Sequence, residues 1–279
     1  MSTIRANNLD IGYELVGTGP PLLMLHAASS SGRMDFAAQI PALASAFRVH
    51  LPDARGHGTT RWDPAAGFRA EWLVDDLVAF ADALGLASFH LLGFSMGAMT
   101  ALGFAVRHPE RVRTLVLAGI APEREPRASV ARRLLDPARI ERDDPAWAAR
   151  LAHQHEPVQG PGAWRRLLSA IAADVATQPL VASQELRRVA APALVACGDR
   201  DPFVPVDQAW RLARQLADGR LLVAPDCGHE LMSQRPGLLN EALESFYRST
   251  ASVARERANG RPQAAASVDT VETTAEGRS

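Results

Sequence analysis

The sequence contains no lysine, since all 30 of its basic residues are arginine. Without a lysine amine the chain cannot form a Schiff base with a carbonyl substrate or with pyridoxal phosphate, which excludes that class of covalent catalysis. An excess of charge of one sign is also lacking: 31 acidic residues balance the basic ones, and the formal net charge is −1. We therefore expect neither nucleic acid nor a membrane as a partner, and a small neutral or weakly charged molecule as the ligand.

Cysteine is scarce, and Cys197 and Cys227 have the spacing of neither a metal site nor a disulfide framework. Buried, reduced thiols are expected. No stretch approaches the roughly 20 apolar residues of a membrane span, and the first eight residues lack the apolar core of a signal peptide. The expectation is a cytoplasmic protein without metal or organic cofactor, whose oligomeric state the sequence does not reveal.

Short apolar runs alternate with helical patterns along most of the chain. Buried strands are predicted at 22–26, 47–51, 88–92, 112–118, 192–197 and 220–224, and residues 4–16 predict an edge hairpin with its turn at Asn7-Asn8. This alternation predicts an α/β fold with a mostly parallel central sheet and helices on both faces.

One segment interrupts that alternation, because residues 123–185 are rich in Arg, Ala and Pro and show helical patterns but no clear strand. We predict a first core segment at 1–122, a helical cap insertion at 123–185 and a second core segment at 186–250. The remaining tail, 251–279, lacks aromatic residues and is predicted to be disordered.

The most informative motif is Gly93-Phe94-Ser95-Met96-Gly97, which joins a predicted strand to a predicted helix. In that context G-x-S-x-G indicates a nucleophile elbow, with Ser95 as the nucleophile. The two glycines are explained by sterics, because side chains at those positions would collide with the neighbouring strand and helix.

Two later loops, each following a predicted strand, supply the partners that a serine nucleophile needs. They place Asp201 and His229 at the same sheet edge as Ser95, because parallel strands share their carboxyl ends. His229 would act as the general base and Asp201 would orient it. Asp199 and, less favourably, Glu123 are alternatives for the acid.

Together, the motifs at 25–28, 53–58, 93–97, 198–201 and 228–229 resemble those of the α/β-hydrolase superfamily, over about residues 4–247 and with features of its esterase and enol-lactonase branch. The resemblance implies an oxyanion hole formed by the backbone N–H groups of Met96 and Ala28. His26 would order that loop. Relatives usually carry glycine where this chain has Ala27, so strain is expected if the position requires a positive φ.

Candidate pocket residues flank the catalytic positions or lie in the cap. The two tryptophans among them either line an acyl pocket or anchor the cap, and a catalytic role for His57 is not favoured. The cap has no obvious net charge, which argues against a strongly anionic substrate. The candidates are Ala27, Phe94, Trp147, Trp164, Leu231 and Met232.

These observations predict a serine hydrolase that cleaves a small or medium ester or lactone through an acyl-enzyme. A carbon–carbon bond hydrolase or lyase with the same triad remains an alternative, with Arg33 or the cap arginines recognising the substrate. A hydrolase-fold receptor with little or no turnover is the other alternative.

Overall fold

The computed structural model describes residues 1–120 and 123–258. Its eight strands form one sheet in the order β1-β2-β4-β3-β5-β6-β7-β8. The strands are β1 (Ser2–Ala6), β2 (Leu9–Val16), β3 (Pro21–Leu25), β4 (Arg48–Pro52), β5 (Phe89–Phe94), β6 (Val112–Ala118), β7 (Ala193–Gly198) and β8 (Gly219–Ala224).

The sheet is parallel from β4 to β8, and only β1 and β2 pair antiparallel with their neighbours. Asn7 and Asn8, with φ of 47° and 61°, turn the chain between β1 and β2. Asparagine tolerates this left-handed region better than most residues, which explains the tight hairpin. The prediction of a mostly parallel sheet with an edge hairpin is confirmed.

Helices cover both faces of the sheet. The first core segment contributes α1 (Gly32–Asp35), α2 (Ile40–Leu43), α3 (Ala70–Ala83) and α4 (Met96–Arg107). Neighbouring strand residues bury opposite faces: Leu91 packs in the cluster that includes α3 and α4, whereas Leu92 packs in the cluster on the other face. The buried parallel strands are apolar on both sides, as a sheet covered by helices requires.

The cap consists of α5 (Arg124–Arg133), α6 (Pro137–Asp143), α7 (Pro145–Gln159), α8 (Ala163–Val175) and α9 (Ser183–Leu186). Within the described part of the predicted insertion, all regular elements are helical. Trp164, Leu167, Leu168 and Ile171 form a buried stripe on α8 because they recur at helical spacing. They pack with other cap residues and with Ala28 into a cluster above the sheet edge.

The second core segment adds α10 (Val206–Gln215), α11 (Leu231–Gln234) and α12 (Pro236–Ala258). The closing helix α12 is longer than the pattern predicts, so residues 251–258 of the expected disordered tail are helical. The rest of that tail, 259–279, lies outside the described residues. None of the helices described here has both the length and the apolar character needed to cross a bilayer.

Candidate active site

The chain reverses sharply between β5 and α4, and Ser95 lies at the reversal with φ of 52° and ψ of −114°. A positive φ is strained for a residue with a side chain and persists only where the surroundings impose it. A Cβ atom on Gly93 would overlap the backbone of Gly97, and one on Gly97 would overlap the carbonyl groups of Leu25 and His26. The glycines therefore allow the close backbone approach that holds the elbow.

His229 lies between Ser95 and Asp201. Its Nε2 atom is 3.1 Å from Ser95 Oγ, and its Nδ1 atom is 2.8 Å from Asp201 Oδ2. The carboxylate only accepts, so Nδ1 carries the proton and Nε2 is free to accept the hydroxyl proton of Ser95. The side chains of Asp201 and His229 are 0% and 7% exposed, which shields this pair from water.

Asp201 is fixed by its own turn, because its Oδ1 atom accepts the N–H groups of Phe203 at 2.8 Å and Val204 at 3.1 Å. The alternative acids are engaged elsewhere. Asp199 accepts the N–H of Cys227 at 3.0 Å, which ties together the loops after β7 and β8. Glu123 pairs with Arg211 on the surface. The geometry thus brings Asp201, and neither alternative, to His229.

Residues 26–30 follow β3 and lie beside the elbow; we call them the oxyanion loop, after the role that the sequence predicts for them. Among the described residues, no protein acceptor contacts the N–H of Ala28 or of Met96, and both residues line the cavity that contains Ser95. The positive-φ residues of the described chain do not include Ala27. The strain expected for alanine at that position is therefore absent.

His26 holds the oxyanion loop from beneath. Its Nε2 atom accepts the N–H of Ala54 at 2.9 Å, so Nδ1 carries the proton and donates to the carbonyl of Ala27 at 2.7 Å. Burial lowers the pKa of His26 to about 4, which keeps the ring neutral and this tautomer in place.

A second histidine connects the oxyanion loop to the cap. His57 places Nε2 at 2.8 Å from the carbonyl oxygen of Ala28, and its ring packs edge-on against His155 of α7. His155 in turn accepts the N–H of Gly58 at 3.2 Å. Burial lowers the pKa of both histidines to about 3. His57 is thus a buried neighbour of the oxyanion loop, and its ring nitrogens face backbone carbonyl groups.

Two cavities meet at His229. The apolar branch contains Ser95 and is walled mainly by hydrophobic side chains of α3, α4 and the cap, including Leu73, Met99 and Ile171. The second cavity extends toward α1 and α7, and we call it the polar branch because charged side chains line it. Its charged lining residues among those described are Asp35, Asp144, Arg150 and Glu230.

The predicted pocket residues divide into two groups. Ala27 lines both branches, while Trp147 and Met232 line the polar branch. For Phe94, Trp164 and Leu231 the prediction was wrong, since each is 0% exposed and lines neither branch.

Each of these three side chains points into a core. Phe94 lies beneath the elbow, with its ring centroid 5.4 Å from that of His229. Trp164 packs in the cap cluster, and Leu231 packs in the core cluster that contains Leu92 and Phe94. Adjacency to a catalytic residue in sequence does not determine the direction in which a side chain points.

Sequence reasoning missed several residues of the site. Asp35 and Glu230 line the polar branch with His229, and Met99 and Ile171 wall the apolar branch. Burial raises the pKa of Asp35 to about 7, although the N–H of Ala27 donates to its carboxylate and favours ionisation. The helical spacing of Met99 and Ile171 was a usable signal, but it indicates an inward face without separating core from cavity.

A family model described as the alpha/beta hydrolase fold matches residues 20–156, and a second, described as TAP-like protein, matches residues 147–256. The sheet order and the serine at the strand-to-helix turn agree with the first description. The chain belongs to the α/β-hydrolase superfamily. The expected family and fold are thereby confirmed, and membership of a hydrolase family is established.

The known α/β-hydrolases that are similar to this chain have names that describe different reactions. The 2-hydroxymuconate semialdehyde hydrolase of Pseudomonas sp. (strain CF600) is 29% identical over 259 residues, which cover 80% of this chain and 89% of that protein. A variant of the meta-cleavage product hydrolase CumD superposes with a TM-score of 0.73 at 22% identity, covering 89% of this chain and 98% of that one. The enol-lactonase from Burkholderia xenovorans LB400 gives a TM-score of 0.68 at 23% identity, covering 88% and 100%.

Proposed function

We propose that this α/β-hydrolase is a serine hydrolase that cleaves a small or medium carboxylic ester or lactone through an acyl-enzyme. The supporting observation is the hydrogen-bonded series from Ser95 through His229 to Asp201, of which Ser95 and His229 line a partly apolar cavity. A serine hydroxyl is a weak nucleophile at neutral pH, and this arrangement supplies the base that it needs.

In the proposed reaction, Ser95 Oγ attacks the substrate carbonyl carbon while His229 Nε2 takes the hydroxyl proton. Asp201 stabilises the imidazolium, and the N–H groups of Met96 and Ala28 bind the oxyanion. Collapse of the tetrahedral intermediate breaks the bond to the leaving oxygen, which receives the proton from His229. Water then attacks the acyl-enzyme with His229 again as the base, which releases the acid and restores Ser95.

The two branches suit the two parts of such a substrate. The proposed oxyanion donors line the apolar branch with Ser95, so we assign the acyl group to that side. His229, which would protonate the leaving oxygen, lines both branches, and the polar branch then receives the leaving group. An apolar acyl group with a polar, uncharged leaving group fits this division.

A carbon–carbon bond hydrolase is the second candidate, since relatives of this chain include a 2-hydroxymuconate semialdehyde hydrolase and a meta-cleavage product hydrolase. A carboxylate-bearing substrate needs a cation to bind it. Three carboxyl groups and one arginine, Arg150, make up the described charged lining of the polar branch. Arg33 is paired with Glu14 at 2.7 Å. This charge balance favours the ester or lactone.

Replacing the nucleophile tests the main proposal. Ser95→Ala is expected to lower kcat on p-nitrophenyl esters by roughly 10⁴-fold or more, because no acyl-enzyme can form without the serine hydroxyl, although the proposed oxyanion hole and the pocket remain. A fluorophosphonate should add to the wild type at Ser95, detected by mass, and leave the variant unmodified. Ser169→Ala, at an exposed cap serine, is the matched control. Retention of most activity by Ser95→Ala would reject the proposal.

A substrate panel separates the candidates. Initial rates on esters of graded acyl length, enol-lactones and carboxylated vinylogous diketones, each with Ser95→Ala as the blank, should give the highest kcat/KM for an uncharged ester or lactone. A preference for the diketones would instead support carbon–carbon cleavage. The absence of any turnover, together with a ligand-dependent rise in melting temperature, would support a receptor.

A further inference from the structure

A carboxyl group outside the triad contacts the oxyanion loop. Asp35, the last residue of α1, accepts the N–H of Ala27 on its Oδ2 atom at 2.7 Å. The side chain also lines the polar branch beside His229 and Glu230. None of the proposed chemical steps uses this carboxyl group, so its contact with the loop requires a separate explanation.

The two peptide groups that meet at Ala27 are each held by one side chain. The N–H of Ala27 donates to Asp35, and the carbonyl of Ala27 accepts from Nδ1–H of His26 at 2.7 Å. Fixing the planes on both sides of one Cα atom fixes its φ and ψ, the only two soft torsions at that residue. Ala27 is therefore held by two side chains rather than by a restriction of its own.

The direction of the Ala28 N–H follows from this arrangement. That N–H belongs to the same peptide as the Ala27 carbonyl, and the described chain contains no cis peptide. In a trans peptide the C=O and N–H point in opposite directions, so a carbonyl held by His26 turns the N–H of Ala28 to the other side. Without the contact to Asp35, rotation about the Ala27 backbone would let this peptide tilt.

We propose that Asp35 is a positioning residue of the oxyanion hole, which holds the N–H of Ala27 so that the N–H of Ala28 stays aimed at the substrate oxygen. This role rests on the proposed hydrolase function and adds a residue to it. Asp35 acts through Ala27 and contacts no reacting atom. Its contribution is to the tetrahedral state, where the oxyanion forms, more than to substrate binding.

To hold the N–H of Ala27, Asp35 needs an oxygen that accepts a hydrogen bond and does not need a negative charge. Burial raises the pKa of its carboxyl group to about 7, so neutral and ionised forms coexist near neutral pH. A protonated carboxyl group keeps a carbonyl oxygen that can accept the same N–H. An asparagine amide offers that oxygen at the same distance from the backbone, whereas glutamate keeps the charge but moves it by one methylene.

Three substitutions at this position separate these properties. Asp35→Ala is expected to lower kcat for a p-nitrophenyl ester by about 10- to 100-fold with KM changed less than about threefold, because the donor is misaimed while the pocket remains. Asp35→Asn should recover kcat to within about threefold of the wild type. Asp35→Glu should stay low despite its charge.

Glu14→Ala is the matched control, because Glu14 lies on β2 and its pair with Arg33 at 2.7 Å ties that strand to α1 through side chains outside the oxyanion loop. Its kcat should remain within about twofold of the wild type. Melting temperatures of all variants show whether α1 stays folded. If Asp35→Ala fails to fold, the comparison of Asp35→Asn with Asp35→Glu still decides the question.

Four results would overturn the proposal, and three of them concern kcat: Asp35→Ala with at least half of the wild-type kcat, Asp35→Asn as impaired as Asp35→Ala, or Asp35→Glu as active as the wild type. A rise in KM alone would show a pocket role and overturn it as well. Failure of the hydrolase function is distinguishable, since it appears as ester turnover retained by Ser95→Ala or as no ester turnover by the wild type. Normal kcat in Asp35→Ala with an inactive Ser95→Ala would reject only the positioning role.

Discussion

The two proposed oxyanion donors belong to segments that are held in place by different physical means. The elbow carries the N–H of Met96 and is held by sterics, because Gly93 and Gly97 let strand, turn and helix approach too closely for a Cβ atom. The oxyanion loop carries the N–H of Ala28 and is held by hydrogen bonds with His26, His57 and Asp35, the last of which accepts the N–H of Ala27. One donor thus depends on the space around its segment and the other on polar partners.

This difference determines how each segment responds to a substitution. A steric restraint cannot be relieved without moving backbone, so a substitution at the elbow affects the whole fold. A hydrogen-bonded restraint loses one contact at a time, so a substitution near the loop affects mainly the direction of one N–H group. Stability should therefore report on the elbow, and kcat on the oxyanion loop.

The largest effect is expected for Gly97→Ala. The added Cβ would overlap the carbonyl oxygens of Leu25 and His26, which lie in and after the central strand β3. We expect the free energy of unfolding to fall by about 3 kcal/mol or more, measured by urea denaturation, and ester hydrolysis to be lost.

Gly103→Ala, on the same helix, is its control. There the new Cβ meets only the Val74 side chain, at 3.1 Å, and alanine favours the helix by roughly 0.5–1 kcal/mol. Its stability should lie within about 1 kcal/mol of the wild type. Equal effects of the two substitutions would show that close packing at the elbow is not what restrains it.

The elbow could be predicted from the sequence because the residues that mark it, Gly93, Ser95 and Gly97, lie within five consecutive positions. Ser95, Asp201 and His229 could be placed at one edge because parallel strands share their carboxyl ends, a rule that needs only the order of the elements. The fold was predictable because each buried strand is a short apolar run, which can be recognised from consecutive residues. The hydrogen bonds of the oxyanion loop reach it from separate segments, and the link from His57 to Ala28 spans 29 positions.

The cap and the pocket were harder to predict. Helical spacing separates inward from outward positions, but both a core and a cavity lie on the inward side of the cap, as Trp164 and Ile171 show. Asp35 ends a four-residue helix, and nothing in the pattern distinguishes it from a solvated acid. Only tertiary packing reveals that its carboxylate meets the N–H of Ala27.

His26→Phe tests the oxyanion loop with a smaller expected effect on stability and a selective effect on kcat. The aromatic ring is retained, but the carbonyl of Ala27 and the N–H of Ala54 lose their partner. We expect about 2 kcal/mol of lost stability. On a p-nitrophenyl ester we expect a fall in kcat of about 10- to 100-fold with KM little changed, because the Ala28 donor is no longer aimed.

His90→Phe is the control for this substitution, since His90 hydrogen-bonds Thr114 at 2.8 Å within the sheet and lines neither branch of the cavity. It should lower stability while kcat stays within about twofold of the wild type. A comparable loss of kcat in His90→Phe would attribute the effect of His26→Phe to general destabilisation.

The smallest effect concerns pH, because the oxyanion loop is held by titratable groups and the elbow is not. Burial depresses the pKa of His26 to about 4 and that of His57 and His155 to about 3. The unfolded chain therefore binds more protons than the folded one below about pH 6.5, and stability falls as the pH drops from there toward 4. Asp35 opposes this trend, since its raised pKa of about 7 favours the folded state as the pH falls below that value.

Each neutral buried histidine contributes up to about 1.4 kcal/mol per pH unit to that loss. Urea denaturation at pH 7.5, 6.5 and 5.5 should therefore show a shallower fall in stability for His155→Phe than for the wild type. His155→Phe removes one such group together with the acceptor for the N–H of Gly58, so its stability at pH 7.5 should already be lower, by about 1 kcal/mol. Parallel pH profiles for the two proteins would show that folding does not lower the pKa of His155. The cap would then restrain the oxyanion loop by packing, as the glycines restrain the elbow.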